Sequence, residues 1–276
     1  MTNQRFMISV ILSTYNQPLW LEKVLWGYSC QSDSHFEIVI ADDGSGEETK
    51  RVIDVMREQT NLVIQHVWQA HEGFGKSRIL NKATVAASGE YLIFSDGDCI
   101  PRADFISVHR RFAKAGRYLS GGYTKLPRLL SQQLTKEDIL EGRVFSSSWL
   151  AAQGFGSKPW HKHAAGRWAW FWNLVSPTKA TWNGHGSSAW KQDILCVNGH
   201  NEEMRYGGQD REMGERLENL GLKGKRIRYF AIVMHLEHPR GYATPESIAK
   251  NRAIRRDTVT KRVIRTPLGI DQWKKD

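Results

Sequence analysis

The chain has 276 residues, 40% of them hydrophobic, which is enough for one large globular core or two small ones. Its formal net charge of +10 points to phosphates, anionic headgroups or nucleic acid as partners. No apolar run is long enough for a transmembrane helix, Met1 to Phe6 lacks the apolar region of a signal peptide, and the protein is expected in the cytoplasm. Cys30, Cys99 and Cys196 are far apart and odd in number, which excludes a disulfide framework and a paired-cysteine zinc site and leaves buried thiols.

In chain order, Met7 to Leu12 reads as a buried strand that runs into Ser13-Thr14-Tyr15-Asn16, and Pro18 then opens a helical pattern through Leu21, Val24 and Leu25. Phe36 to Ala41 is a second strand. It ends in Asp42-Asp43-Gly44-Ser45 and precedes a helix carrying Val52, Ile53, Val55 and Met56. Leu62 to Val67 is a third strand, and Gly73-Phe74-Gly75-Lys76-Ser77-Arg78 leads into a helix with Ile79, Leu80, Ala83 and Ala87 before a fourth strand over 91–95. This alternation predicts right-handed crossovers, a mostly parallel sheet flanked by helices, and a ligand crevice at the carboxyl ends of the strands.

Three polar clusters meet at that edge: Ser13 to Asn16, Asp42-Asp43, and Asp96-Gly97-Asp98. Two acids on either side of a glycine, at the tip of a buried strand, are placed to hold a divalent cation against a phosphate. An Asp-Gly pair alone would equally mark a turn. Helix capping accounts for one or two of these acids but not for Asp98, which is followed by Cys99-Ile100-Pro101. Like charges gathered on one rim need a cation or a positive ligand between them.

With these motifs in order, the N-terminal stretch through Asp98 resembles a family 2 glycosyltransferase of the GT-A fold. The resemblance rests on Ser9 to Asn16, on Val39-Ile40-Ala41-Asp42-Asp43-Gly44-Ser45, and on Phe94-Ser95-Asp96-Gly97-Asp98. It implies that Ser13, Thr14, Tyr15 and Asp43 hold the nucleobase and ribose of a donor, that Asp96 binds the ribose or sugar side, and that Asp98 stands where the family holds a metal-bound sugar diphosphate. Arg78 and Lys76 have the charge to help with the nucleotide; for Lys76 a solvated basic helix face is an equal reading.

The middle of the chain is less regular. Phe105 to Phe112 has helical period, Tyr118 to Tyr123 reads as a short strand, and 125–180 looks like an acceptor-side lid or insertion. Eleven tryptophans are a high count, and six lie between 160 and 190. Pro159-Trp160-His161-Lys162-His163 and Arg167-Trp168-Ala169-Trp170-Phe171-Trp172 interleave rings with cationic groups, which suits a core plug under a loop, a membrane headgroup layer or a lipid-linked acceptor, or stacking on sugars.

Tyr206-Gly207-Gly208-Gln209-Asp210 opens a helix through Met213, Leu217 and Leu220, where an acid complements the helix dipole. This region resembles the C-terminal galactosyltransferase-type segment in which Gly-Gly-Glu-Asp opens a helix and its Asp is the catalytic base. The match implies Asp210 as base and Gln209 at the acceptor; the small residues and glycines of Trp182 to Trp190 let a ligand approach the backbone, and Trp182 and Gly208 are placed at the acceptor with them. Gln209 departs from the usual Glu and points to a different acceptor. A strand over 227–233 leads into Met234-His235-Leu236-Glu237-His238, where the related enzymes complete the metal site with a histidine; His235 is the first candidate and His238 the second. The tail carries Arg252, Arg255, Arg256, Lys261, Arg262 and Arg265 on one or two helices, read as a solvated face or as a contact with an anionic membrane.

The sequence thus predicts a GT-A α/β chain with a donor half over 1–122, an acceptor and catalytic half over 123–240, and a basic helical extension over 241–276. The expected activity is inverting, metal-dependent transfer from a nucleotide sugar, taken as a UDP-sugar, to a glycan or lipid-linked glycan in bacterial surface polysaccharide or lipopolysaccharide synthesis. Mn²⁺ or Mg²⁺ is the expected cofactor, and the inner face of the cell membrane the expected peripheral contact. A non-catalytic sugar- or nucleotide-binding module of the same fold is the alternative. Specific nucleic-acid binding is not expected, because no recognition motif or dense basic helix is present.

Overall fold

In a computed structural model that describes residues 6–155, 166–238 and 244–274, the N-terminal third folds as strand, helix, strand. β1 (Ile8–Thr14) is followed by α1 (Pro18–Ser29), β2 (Phe36–Asp42), α2 (Glu47–Gln59), β3 (Ile64–Trp68), α3 (Lys76–Ala86) and β4 (Tyr91–Asp96). All four strands are parallel, in the order β3-β2-β1-β4. Central β1 is apolar on both faces. Ile8, Val10 and Leu12 pack with Leu21, Val24 and Leu25 of α1 and Ile53 and Met56 of α2, while Ile11 packs with Ile79, Leu80 and Ala83 of α3. Its register sets Ser13 opposite Asp96 and Thr14 opposite Asp42, so the polar strand ends share one level.

The chain continues through β5 (Cys99–Pro101), α4 (Phe105–Phe112), β6 (Arg117–Ser120), β7 (Gly122–Lys125), α5 (Arg128–Gln133), α6 (Lys136–Leu140) and α7 (Ser147–Ala152). After residue 165 come α8 (Gly166–Val175), β8 (Ser187–Trp190), α9 (Lys191–Cys196), α10 (Gln209–Asn219), β9 (Lys223–Arg226), β10 (Ile232–His235) and α11 (Pro245–Thr260). β8 joins β4 antiparallel, and the main sheet runs β3-β2-β1-β4-β8-β6-β9. A second sheet, β5-β10-β7, stands beside the carboxyl end of β4.

Two expected strands are divided. The stretch 118–123 forms β6 and β7, which belong to different sheets. A Cβ at Gly121 would lie 2.7 Å from the Gly186 carbonyl oxygen and one at Gly122 2.2 Å from that of Arg228, so two glycines let the chain pass between backbones as it changes sheets. The strand expected over 227–233 also breaks, because Phe230 and Ala231 N–H both donate to Ile227 O and close a turn between β9 and β10. β3 begins at Ile64 rather than Leu62. Of the basic tail, α11 carries Arg252, Arg255 and Arg256, while Lys261, Arg262 and Arg265 lie beyond its end; its Asn251 is fully buried and donates to the carbonyls of Arg205, Tyr206 and Gly207. Of the aromatic and cationic run, residues 159–163 lie outside the described residues.

The helix that carries Asp210 is held by a buried ion pair. Arg216 and Glu212 are 0% and 1% exposed; the guanidinium meets Glu212 (Nε to Oε1, 2.8 Å) and donates to the Val197 and Gly199 carbonyls, and Thr258 of α11 donates to the same carboxylate. Removing one partner strands the other charge. Arg216→Ala is expected to lose about 3–5 kcal/mol of stability, measured by urea unfolding; a loss below about 1 kcal/mol would contradict this account.

Candidate active site

The carboxyl ends of β1, β2 and β4 open into a cavity of about 1250 Å³. The loops after β1 and β2 are tied at its rim. Asn16, in a left-handed conformation (φ 47°), donates its N–H to Ser45 Oγ (2.8 Å) and accepts from Gly46 N–H (3.0 Å). Tyr15 stacks on His71 with ring centres 4.3 Å apart and 11° between planes. Such a flat pair offers a face to a base or sugar ring. The two acids that end β2 divide their work: Asp42 accepts from Ser45 N–H and meets His66 Nε2 (2.9 Å), which leaves Asp43 to the cavity. Asp43 accepts from Gln69 Nε2 (2.6 Å) and Gly75 N–H (2.8 Å), and burial raises its pKa against the pull of those bonds. The helix that follows, α2, takes no side-chain cap from either acid.

Lys76 is the central cation. Its Nζ lies 2.6 Å from Asp96 Oδ1, which also accepts from Ser13 Oγ (2.8 Å). Burial opposes its charge, but the carboxylates of Asp96 and Asp210 outweigh burial and its pKa rises. Gly184 marks where the three groups converge, because a Cβ there would lie 3.2 Å from Asp210 Oδ2, Asp96 Oδ2 and Lys76 Nζ alike. Asp210 reaches this point from the first turn of α10, after Gly207 and Gly208 (φ 110° and 92°) turn the chain into the helix. Asp210 Oδ1 is buried without a hydrogen-bond partner, and burial raises the carboxyl's pKa, opposed by Lys76 and reinforced by Asp96. A carboxylate raised in this way is a better proton acceptor near neutral pH.

The second sheet brings histidines to Asp98. β10 pairs antiparallel with β5, so that His235 lies opposite Cys99, and Leu236 N–H donates to Asp98 O (2.8 Å). Asp98 Oδ2 lies 2.7 Å from His238 Nε2 and 3.5 Å from His235 Nε2. Burial opposes ionisation of Asp98, yet the two imidazoles bring its pKa down to about 2. The three residues offer ligand atoms within 4.8 Å of one another. One carboxylate and two imidazoles fit Mn²⁺ better than Mg²⁺ or Ca²⁺, which prefer all-oxygen shells. His238, second choice by sequence, is the closer of the two.

Ser13, Thr14, Tyr15, Asp43, Asp96, Asp98, His235, His238, Gly208, Gln209 and Asp210 all line the one cavity. Three residues sit differently from expectation. Arg78 turns into a separate small pocket, where it meets Glu72 (2.9 Å) and Glu202 (3.8 Å), because it lies on α3 away from the face that carries Lys76. Trp182 borders the cavity but its ring is core, 1% exposed and packed against Phe94 and Tyr118 with Gly214 beneath it. Gln209 Oε1 accepts from Gly207 N–H (3.0 Å) and so closes the turn before α10. Lys76 carries more than a solvated face, and His71 and His185 were not singled out by sequence; His185 packs edge-on to Tyr123, and burial lowers its pKa to about 4. No sequence motif flagged either histidine, since each is placed by a partner far along the chain.

Residues 9–125 match the model described as Glycosyl transferase family 2. The chain is 26% identical over 239 residues to validoxylamine A glucosyltransferase of Streptomyces hygroscopicus subsp. jinggangensis, covering 78% of this chain and 52% of that protein. It spans about half or less of the length of such curated relatives. Among solved structures, Staphylococcus aureus TarS 1–349 in complex with UDP-GlcNAc superposes with a TM-score of 0.63 at 14% identity, over 97% of this chain and 69% of that one. The mannosyltransferase PcManGT of Pyrobaculum calidifontis, in complex with GDP-Man and Mn²⁺, gives 0.59 at 17% identity, over 87% of this chain and 59% of that one. The fold is therefore that of the GT-A glycosyltransferases.

The Asp98, His235 and His238 cluster yields a measurable expectation. Mn²⁺ at about one hundred times its dissociation constant should stabilise the protein by about 2.7 kcal/mol and raise the melting temperature by about 5–10 °C. Asp98→Ala should lose that shift while remaining folded. A shift that survives in Asp98→Ala would place the ion elsewhere.

Proposed function

We propose that this chain, whose residues 9–125 match the glycosyl transferase family 2 model, transfers a sugar from a nucleotide-sugar donor to a hydroxyl of a glycan or lipid-linked glycan acceptor, with inversion at the anomeric carbon. The observation that carries the reading is the arrival of Asp43, Asp96, Asp98 with two histidines, and Asp210 at one cavity from four separated parts of the chain. In this reading residues up to about 122 supply the donor side and the later ones the acceptor side, except that His235 and His238 return to the donor's diphosphate beside Asp98.

The Tyr15 and His71 pair offers its face to the nucleobase, and Asp43, Ser13 and Thr14 offer acceptors and donors to base and ribose. Asp96 and Lys76 adjoin the sugar and diphosphate, Lys76 contributing positive charge where negative charge builds on the leaving group. Asp98, His235 and His238 would hold a divalent cation, of which Mn²⁺ suits the donor set, and such an ion neutralises charge on a departing diphosphate. Asp210 accepts the proton of the acceptor hydroxyl as its oxygen bonds to the anomeric carbon. The bond from that carbon to the diphosphate breaks on the opposite face. Attack from one side and departure from the other invert the centre. A UDP-sugar donor and a role in surface polysaccharide synthesis remain the preferred assignments, in keeping with the UDP-GlcNAc complex of TarS.

The rival reading, a non-catalytic binding module, was motivated by Gln209. Its Oε1 accepts from Gly207 N–H in the turn before α10 and Asp210 stays in place, so the amide does not weigh against catalysis.

Asp210→Asn tests the assignment. Transfer should fall by about 10²–10⁴-fold while nucleotide binding is retained. Because the folded state favours the neutral carboxyl, its ionisation costs stability above that raised pKa, and the amide removes this cost. The variant should therefore melt no lower than the parent at neutral pH, and the parent's activity should fall on the acid side as Asp210 takes up a proton. Near-normal turnover in Asp210→Asn would overturn the assignment.

A further inference from the structure

Helix α8 wears its apolar residues outside. Ala169 is buried and Asn173 half-buried on the face that meets Tyr229 and Phe230, where Tyr229 N–H donates to Asn173 Oδ1 and Arg226 to Asn173 O. The opposite face holds Trp168, Trp170 and Leu174, which are 63%, 61% and 65% exposed, with Phe171 and Val175 beside them. No charged residue occurs from 168 to 178. A surface helix of a water-soluble protein normally shows the reverse pattern, and a cluster of large exposed rings marks an interaction surface.

The ground beside this helix is basic. Arg111, Lys114 and Arg117 come from the end of α4 and the start of β6, Lys179 from the segment after α8, and Lys223, Lys225, Arg226 and Arg228 from β9 and the following turn. Residues 111–125, 166–190 and 223–235 hold no Asp or Glu at all. The strip is continuous: Arg117 pairs with Lys223 across β6 and β9, Lys225 Nζ sits 4.8 Å over the Phe112 ring, and Phe112 lies 5.1 Å from Phe230, which packs with Tyr229 and Trp172 under α8. Glu218 of α10 reaches this ground and accepts from Tyr118 Oη (2.7 Å). Much of the basic tail, by contrast, is compensated: Arg255 meets Glu215, Lys261 meets Asp257, and Arg265 meets Asp271.

We propose that α8 and this basic strip dock on an anionic membrane surface, with Trp168, Trp170, Phe171 and Leu174 entering the headgroup layer and the exposed Arg111, Lys114, Lys179 and Lys223 facing the lipid phosphates. Amphipathic rings settle at that depth, and cationic side chains beside them add electrostatic attraction to anionic lipid. An acidic protein partner would match the strip, but it would not need uncharged rings presented across a whole helix face. Thr178, Lys179, Arg226 and Arg228 also line the large cavity, so docking sets its mouth at headgroup level. Only the corollary that the acceptor arrives on a lipid rests on the glycosyl-transfer reading; the docking itself does not.

Co-sedimentation with vesicles decides the matter. The protein should pellet with phosphatidylcholine vesicles carrying about one third phosphatidylglycerol, pellet little with phosphatidylcholine alone, and be released as salt rises toward about 0.5 M. Trp168→Ser/Trp170→Ser/Leu174→Ser should lower the partition coefficient at least about tenfold, and so should Lys114→Glu/Lys223→Glu, which change exposed side chains and leave the β6–β9 backbone pairing intact. Both variants should keep the parent's melting temperature and its nucleotide binding, which separates failure of docking from failure of the donor site. If the serine variant does not fold, the charge variant carries the test alone. Equal partition of parent and folded variants, equal partition onto neutral and anionic vesicles, or no partition at all would overturn the proposal.

Discussion

Four carboxylates, those of Asp43, Asp96, Asp98 and Asp210, face one cavity, and the arrangement stands because each is held by a different device. Lys76 pairs with Asp96 and its charge also acts on Asp210, so that removing its ammonium would leave two acids repelling across Gly184. Asp98 is stabilised as an anion by His238 and His235. Asp43 instead takes hydrogen bonds from Gln69 and from the backbone of Gly75. The site is thus a graded set: one carboxylate held well below its usual range, two raised by burial, and a cation between two of the four. Such separation of pKa values among neighbouring acids lets each do different work at one pH.

Local sequence was enough to read the half of this site that rides on β1, β2 and β4. Continuous apolar runs identified the buried strands, and acids after their last apolar residue had to emerge together because parallel strands of one sheet end on one side. The register of β1 with β4 then set Ser13 beside Asp96 without further help. The Asp210 turn was legible too, because paired glycines before a helical period leave few ways to build the chain. Boundaries were weaker where alternation of buried residues persisted through a turn. Ile227 and Tyr229 are both buried, so 227–233 looked like a strand although its backbone closes on itself at Ile227.

What the sequence could not weigh was the direction of side chains placed by distant contacts. Lys76 and Arg78 are two residues apart on α3, and on a helix that spacing points them to different faces; only the packing decides that the lysine enters the site and the arginine leaves it. Trp182 was expected at the acceptor because it sits among glycines, yet Gly214 on α10 makes room for its ring in the core. His238 approaches Asp98 closely because β10 is clamped antiparallel to β5, an arrangement that brings together segments 140 residues apart.

The two basic regions of the chain differ in the same way. By sequence the arginine-rich tail was the more conspicuous cationic feature, but a charge seeks the nearest acid, and α11 packs against the acidic side of α10. The strip around β6 and β9 is less dense in sequence and more consequential in space, because three segments without acids are laid side by side by the sheet. Net charge is therefore a poor guide to where a positive field emerges. Here the field emerges beside α8, a helix whose exposed face is aromatic, at the mouth of the cavity that the acids line, and the topology that gathers the acids is the same one that gathers the cations.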